Sequence, residues 1–386
     1  MQPAKMPAAS TVSEDKMRNK LEVNLGKIKY NLQVVRDVLP KACKVIAVVK
    51  ANAYGHGGKE VSSYLQEACG IDYFAVAGLD EALKLRKSGI KGDILVLSYV
   101  DPAELNDAIE NNITLAVVSA EHAIALSCEA HNLGKTANVH IKLNTGMNRV
   151  GFDCKTFKQI MTIAGAYKLP NLNFTGIFSH FSSSDDSSSG AEPYTKLQLE
   201  RFNKVLSYLS ERGINPGLRH ISNSGAIGKY PQARFDAVRC GALMYGYNTA
   251  MDAKLPVVPV MEWKALISCI RTIDFGDAVS YSRKFVAKQP TKIATLSIGY
   301  ADGLSRALSN KGSVIINGQK CPMIGNICMD QMMVDVSGVE AEIKVGDLAT
   351  IIGAGQTADD LAAIAGSCMH EVISSIADRV ERVYIK

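Results

Sequence analysis

From about residue 21 to residue 247, short apolar runs alternate with longer segments in which apolar positions recur at helical spacing. The short runs predict buried strands, and the longer segments predict amphipathic helices such as 59–68, 80–88 and 102–111. Strand–helix alternation is typical of an α/β protein with a parallel sheet covered by helices. Eight candidate strands favour a (β/α)8 TIM barrel over an open, doubly wound sheet. The predicted strands are 44–49, 73–77, 94–97, 115–118, 139–143, 174–179, 219–222 and 237–239.

The pattern changes after residue 250. A proline-containing linker over 251–259 leads to β-like runs separated by glycine turns, at 264–273, 291–298, 313–316, 332–336 and 348–352. Asn317-Gly318 predicts a tight hairpin between two of these strands. We therefore expect a barrel domain over 18–250 and a mostly β domain over 251–386. Residues 1–17 lack the apolar core of a secretory signal and predict a disordered extension.

Composition narrows the class of protein. A chain of 386 residues with 47% hydrophobic residues can build two domains with sizeable cores. No apolar run reaches transmembrane length, and the net charge of +5 is dispersed, which argues against membrane and nucleic-acid partners. A mild positive charge suits an anionic cofactor or a carboxylate substrate. Nine cysteines without CxxC spacing argue against disulfides and a metal site, and predict reduced thiols in the cytoplasm.

Polar residues follow several predicted strands. Lys50 ends the first strand and precedes a glycine-containing turn, a position from which a lysine of lowered pKa can form a Schiff base. Because ligands bind at the carboxyl ends of barrel strands, we expect a site there. Solvated loop residues without a role are the alternative, and the placement alone does not identify the reaction. The other strand-end residues are Asn144, Arg149, His180, Asn223, Ser224 and Arg239.

A family resemblance identifies the reaction. Eight strings occur in order along both domains: VKANAYGHG at 49–57, KLNTGMNR at 142–149, FSHF at 178–181, SNS at 222–224, VRCG at 238–241, VSY at 279–281, GYADG at 299–303 and ICMD at 327–330. With these strings the chain resembles the alanine racemase family, fold-type III enzymes that use pyridoxal 5'-phosphate. The resemblance covers residues 20–386 and implies a homodimer with a site shared across subunits.

The resemblance also implies residue roles. Lys50 attaches the cofactor and acts as one base, and Tyr281 from the other subunit acts as the opposite base. Arg239 faces the pyridine nitrogen, and His180 packs near the ring and hydrogen-bonds Arg239. The phosphate side is held by Tyr54, Asn223, Ser224 and the backbone at Gly241 and Ala242.

For the substrate, the resemblance implies that Arg149 and the Met329 backbone bind the carboxylate. Lys142 matches a lysine that is often carbamylated and braces that arginine. The implied reaction interconverts L- and D-alanine, which supplies D-alanine for peptidoglycan.

Three alternatives stay open. Asp378 stands where the family usually has a tyrosine, and a shorter, polar side chain there favours serine, or even a basic amino acid, as substrate. A diamino-acid decarboxylase is the second, and Tyr281 and the string at 327–330 argue against it. The third is a non-catalytic cofactor-binding protein, which the β domain with its second base argues against. The Ser-rich segment 182–190 is either a rim of the site or a surface insertion.

Overall fold

The computed structural model describes residues 18–250 and 252–386, so the extension expected over 1–17 lies outside the described residues. The chain forms two compact units. One comprises residues 24–260 and the final residue, and is built of strands and helices; the other comprises residues 261–385 together with 18–23, and is mostly β.

The element bounds follow the chain in order. The strands are β1 Asn19–Asn24, β2 Lys44–Val48, β3 Tyr73–Val76, β4 Asp93–Val96, β5 Thr114–Val117, β6 Ala137–Asn144, β7 Phe152–Asp153, β8 Leu172–Phe178, β9 Leu218–His220, β10 Ala237–Cys240, β11 Met261–Ile273, β12 Ala278–Val279, β13 Phe285–Val286, β14 Thr291–Leu296, β15 Ser313–Ile316, β16 Gln319–Ile324, β17 Met332–Asp335, β18 Leu348–Ile352 and β19 Glu381–Ile385. The α-helices are α1 Leu25–Asp37, α2 Lys50–Tyr54, α3 Gly58–Cys69, α4 Leu79–Lys87, α5 Leu105–Glu110, α6 Ala120–Asn132, α7 Phe157–Ala166, α8 Ala191–Ser210, α9 Ser224–Lys229, α10 Ala358–Ala365 and α11 Met369–Ser374.

The first unit is a nearly closed parallel barrel. Its strands run in the order β10-β2-β3-β4-β5-β6-β8-β9. Backbone bonds from Asp236 N to Arg219 O at 3.1 Å and from Arg239 N to Ser222 O at 3.0 Å link the β10 and β9 sides. The strands are buried on both faces, as in β3, where every residue is buried, and this is why they read as continuous apolar runs. The predicted (β/α)8 barrel is confirmed.

The second unit is a sheet in the order β14-β17-β16-β15-β18-β11-β1-β19. The predicted hairpin is confirmed, because Ile316 pairs with Gln319 across Asn317 and Gly318, whose φ angles are 49° and 78°. Residues 18–23, which the sequence pattern grouped with the barrel, belong to this sheet. Strand β1 pairs antiparallel with β11, and its alternating burial places one face on the β core.

Across the described ranges, no helix combines the length and apolarity needed to cross a bilayer. All nine cysteines lie within those ranges and are free thiols. Burial raises the pKa of several of them, to about 11 for Cys154 and about 12 for Cys240, which keeps these thiols protonated at neutral pH.

Candidate functional site

The short segment α2, which begins at Lys50 at the carboxyl end of β2, is a left-handed turn and not a regular α-helix. L-residues other than glycine cost about 1–2 kcal/mol each in the left-handed region, so such a turn persists only where its surroundings hold it. Asn52 supplies part of that support, because its carbonyl accepts from Gly57 N at 2.9 Å and its side-chain oxygen from Gly58 N at 2.6 Å. The residues with positive φ are Ala51 at 52°, Asn52 at 53°, Ala53 at 53° and Tyr54 at 53°.

Glu81 supplies further support for this turn. One carboxylate oxygen accepts from Ala51 N at 2.6 Å and the other from Ala77 N at 2.8 Å, which ties the exits of β2 and β3 together. Burial and the nearby Arg149 lower the pKa of the Lys50 amine, whereas Glu81 raises it. Glu81 is not among the site residues that the sequence predicts. The available signal was its place in the first turn of α4, directly after a strand end.

We expect Glu81→Gln to loosen this turn and to lower the pKa of Lys50 further. The amide keeps one acceptor but turns an N–H group toward a backbone N–H, so the protein should lose about 1–3 kcal/mol of unfolding free energy. Urea unfolding measures the loss. The pH dependence of cofactor reattachment to Lys50 should shift to lower pH, because only the neutral amine reacts. Asp80→Asn, at an exposed neighbour on the same helix turn, is the control, and equal behaviour of the two variants would contradict the prediction.

Arg239 lies buried at the end of β10 and is surrounded by neutral acceptors. One guanidinium nitrogen donates to His220 Nδ1 at 2.8 Å and the other to His180 Nδ1 at 2.9 Å. The second nitrogen also donates to the carbonyls of Ser179 at 2.8 Å and Ile221 at 3.0 Å. Burial and Arg239 hold the pKa of both histidines well below the ordinary value, so both rings are neutral. The hydrogen bond from Arg239 to His180, expected from the resemblance, is present.

Lys142 is a second buried basic residue, near the end of β6. Its Nζ donates to Leu143 O at 2.9 Å and lies 5.3 Å from the centre of the Phe178 ring. Burial, then Arg239 and Arg149, lower the pKa of this amine to about 7. Among the residues described, neither Lys142 nor Arg239 has a carboxylate within ion-pair distance. With Lys50 they give this end of the barrel a positive potential that suits an anionic ligand.

Gly241 forms a small cradle next to Ser224 and Tyr54. Ser224 Oγ accepts from Gly241 N at 3.0 Å and from Leu243 N at 3.4 Å. A Cβ at Gly241 would lie 2.6 Å from Tyr54 Oη, so only glycine leaves this space open. Two hydroxyls and a backbone N–H thus converge where a phosphate group can be bound. The space left by Gly241 and the donors around it fit the phosphate of pyridoxal 5'-phosphate, and Ala242 follows as a buried neighbour.

Asn223 holds the start of α9 in place beside this cradle. Its side-chain oxygen accepts from Ala226 N at 3.1 Å and from Ser184 Oγ at 2.8 Å. Ser184 is fully buried, and a Cβ at Gly225 would lie 2.7 Å from Asp185 Cβ. The first part of the Ser-rich segment therefore packs against the helix that carries Ser224. This packing places it beside the site rather than at a remote surface.

In the β unit, Tyr281 projects from a strained turn between β12 and β13. Ser280, Ser282 and Arg283 have φ angles of 66°, 59° and 49°, and the Tyr281 side chain is 71% exposed. Ser280 Oγ donates to Asn326 O at 2.6 Å, and Asn326 Nδ2 donates to Tyr281 O at 2.9 Å. The turn is thus tied to the segment that leads to Met329.

Met329 and Asp378 lie close to that segment in the same unit. A Cβ at Gly299 would lie 2.3 Å from Met329 O, so glycine permits the close approach of the two loops. Arg379, next to exposed Asp378, donates to Asp330 at 2.6 Å and to buried Asp302 at 2.7 Å. The predicted site residues therefore form two groups, one on the barrel unit and one on the β unit.

Known alanine racemases match this chain over nearly its whole length. A family model described as "Alanine racemase, N-terminal domain" matches residues 23–249, and one described as "Alanine racemase, C-terminal domain" matches residues 260–384. "Alanine racemase 2" of Caldanaerobacter subterraneus subsp. tengcongensis is 40% identical over 95% of this chain and 94% of its own. "Alanine racemase 1" of Clostridium acetobutylicum is 41% identical over 95% of each chain.

Solved structures of alanine racemases share the fold of this chain over nearly its full length. An alanine racemase of Clostridium difficile 630 superposes with a TM-score of 0.91 at 36% identity, covering 96% of both chains. A Bartonella henselae alanine racemase with covalently bound pyridoxal phosphate has a TM-score of 0.86 at 28% identity, over 96% of this chain and 100% of that one.

Proposed function

The chain belongs to the alanine racemase family, and on that premise we propose that it interconverts L- and D-alanine with Lys50 and Tyr281 as the two bases. The observation that carries the proposal is the placement of Lys50, an amine of lowered pKa, in the barrel unit that also holds the cradle around Gly241. A lysine in this state is a nucleophile toward an aldehyde.

Different barrel residues would bind different parts of pyridoxal 5'-phosphate. Tyr54, Ser224 and Gly241 would hold the phosphate, Lys50 would attach the aldehyde carbon, and Arg239 would face the ring nitrogen. When bound, the cofactor delocalises the electrons that the α-carbon keeps when it loses its proton. Because a guanidinium only donates and stays charged, Arg239 disfavours a proton on that nitrogen. The weaker electron withdrawal that results restricts side reactions such as transamination.

Racemisation requires that a proton leaves one face of the α-carbon and returns to the other. Lys50 Nζ serves one face, and the Tyr281 hydroxyl serves the other. We propose a homodimer in which Tyr281 and Met329 of one subunit complete the site around Lys50 of the other. The exposure of Tyr281 on its tied turn supports this assignment. Arg149 and the Met329 backbone would bind the substrate carboxylate.

Lys142 is expected to carry a carbamate. An amine with a pKa of about 7 is largely neutral at pH 8, and a neutral amine adds to CO2 with release of a proton. The product is an anion close enough to Arg239 and Arg149 to interact with their charges, and among the described residues Arg239 has no carboxylate within ion-pair distance. Carbon NMR with 13C-bicarbonate should show a carbamate signal that weakens as pH falls below about 7. Lys142→Met should remove the signal, whereas exposed Lys44→Met should retain it; a signal in Lys142→Met would disprove the assignment.

The similar proteins are alanine racemases, which does not favour the serine alternative, and Asp378 provides a direct test of it. Its side chain is shorter and more polar than the tyrosine that the family usually has there. A role of Asp378 in admitting serine would make Asp378→Tyr lower the ratio of serine to alanine kcat/KM about tenfold, the size of effect that one added substrate group produces. The ratio, measured for both substrates on one preparation, is the readout, with Glu381→Gln on β19 as control. An unchanged ratio would leave alanine as the sole substrate assignment, which the relatives favour.

The proposed activity is tested in deuterium oxide with L-alanine, L-serine and L-lysine in separate reactions. Inversion of alanine with uptake of α-deuterium is the expected result. Release of CO2 from lysine would instead indicate a decarboxylase. Bound cofactor without exchange on any substrate would indicate a binding protein.

A further inference from the structure

Three buried polar side chains continue the hydrogen bonds of Arg239 into the barrel interior. Arg239 lies 2.8 Å from His220 Nδ1, His220 Nε2 lies 3.0 Å from His140 Nδ1, and His140 Nε2 lies 2.8 Å from Tyr73 Oη. Both histidines are fully buried, and Tyr73 is 6% exposed. The chain of contacts crosses from β10 through β9 and β6 to β3, and the proposed mechanism uses only its first member.

The direction of this chain follows from its first donor. A guanidinium has donors only, so His220 Nδ1 accepts from Arg239. Burial lowers the pKa of His140 to about 3, and that of His220 well below its ordinary value, so each ring is neutral and carries one proton. The proton of His220 is then on Nε2 and is donated to His140 Nδ1. His140 therefore carries its own proton on Nε2 and donates it to Tyr73.

Packing prevents the His220 and His140 rings from rotating, which preserves the direction of these hydrogen bonds. Phe178 stacks on His220 with ring centres 4.9 Å apart and planes 3° from parallel. A Cβ at Gly176 would lie 2.5 Å from the His140 ring, so that glycine is what leaves room for it. At the far end, the Thr114 side chain opposes the rise that burial causes in the pKa of Tyr73. Both histidines thus have a fixed partner on each side.

We propose that Tyr73 and His140 are positioning residues that hold Arg239 in a single orientation through this relay. The aligned dipoles turn their negative ends toward the guanidinium and offset part of the energy of burying it. A carboxylate partner would neutralise Arg239, whereas neutral partners leave its full charge directed at the site. The inference rests on the proposed placement of Arg239 beside the cofactor ring.

The test compares Tyr73→Phe with Tyr167→Phe in the cofactor-loaded enzyme. Tyr167 is a largely buried tyrosine whose hydroxyl has no partner among the described atoms, so its loss reports the effect of removing a phenol alone. Nitrogen NMR of histidine-labelled enzyme reads the protonated nitrogen of His140 and His220. A pH titration of the bound cofactor's absorbance reads the nitrogen that joins it to Lys50, and the pKa of that nitrogen depends on the charge at the ring nitrogen that Arg239 is proposed to face.

In Tyr73→Phe we expect His140 to populate both neutral tautomers, the cofactor titration to shift, and kcat to fall about fivefold, the effect of one net hydrogen bond. Thr114→Val, which keeps the volume, should shift the titration in the same direction by less. Tyr167→Phe should change none of the three. Unchanged tautomers and titration in both Tyr73→Phe and Thr114→Val would overturn the relay.

The histidine NMR measurement distinguishes a failure of this inference from a failure of the proposed function. If histidine tautomers change in Tyr73→Phe while the cofactor titration does not, the relay does not position Arg239 for the cofactor, and the inference fails. If the unmodified enzyme binds the cofactor without racemising alanine, the proposed function fails, whereas a shifted titration in Tyr73→Phe would still support the relay.

Discussion

Lys50→Ala should reduce alanine racemisation by at least about 1,000-fold, because it removes both the point of attachment of the cofactor and one of the two bases. Lys142, the other buried lysine near these strand ends, is not expected to replace it, because its Nζ donates to Leu143 O and lies over the Phe178 ring. Reduction with borohydride should fix the cofactor to the unmodified chain on the peptide that contains Lys50. The variant should bind the cofactor only reversibly.

The control is Lys44→Ala at the start of β2, an exposed lysine whose side chain lies 3.6 Å from Asp72. It should retain activity and label as the unmodified chain does. A label that persists on another lysine in Lys50→Ala would show that the attachment site has been assigned to the wrong residue.

Tyr281→Phe should lower kcat by about 100- to 10,000-fold, the usual contribution of a positioned acid–base group. The side chain is 71% exposed, so folding stability should stay nearly unchanged. Because enantiomers have equal free energy, kcat/KM must fall equally in both directions. The diagnostic is therefore isotopic: one enantiomer should still exchange its α-hydrogen through Lys50 faster than it inverts. Equal exchange of both enantiomers would contradict a single lost base. Tyr30→Phe on α1 is the exposed control.

The same two variants test whether the site is shared between subunits. In a mixed dimer of Lys50→Ala and Tyr281→Phe chains, a shared arrangement gives one site with both bases intact and one with neither. Random mixing should then restore about a quarter of the activity of the unmodified enzyme, since half of the dimers are mixed and half of their sites are complete. If both bases came from one chain, mixing would restore nothing.

The contacts of Glu81 and the hydrogen-bonded relay from Arg239 to Tyr73 could not be predicted from the sequence. The residues that the motifs mark are those expected to meet ligands, and their strand-end placement is visible in the order of apolar and polar positions. Glu81 accepts from two backbone N–H groups that follow the ends of two different strands, and Tyr73 and His140 are 67 positions apart in the sequence. Neither contact leaves a periodic pattern, because each depends on how neighbouring strands are placed in the closed barrel.

The sequence by itself determined the two kinds of unit, the eight barrel strands and the tight hairpin. It also determined which strand ends carry the polar residues of the predicted site. These features are local: apolar runs must be buried, and Asn-Gly favours the positive φ angles of a tight turn. Only the tertiary structure decided that residues 18–23 join the β sheet, that the turn after Lys50 is left-handed, and that Arg239 faces neutral partners. Those outcomes depend on long-range pairing and burial, which set the free energy of a strained turn or an unpaired cation after the chain has folded around it.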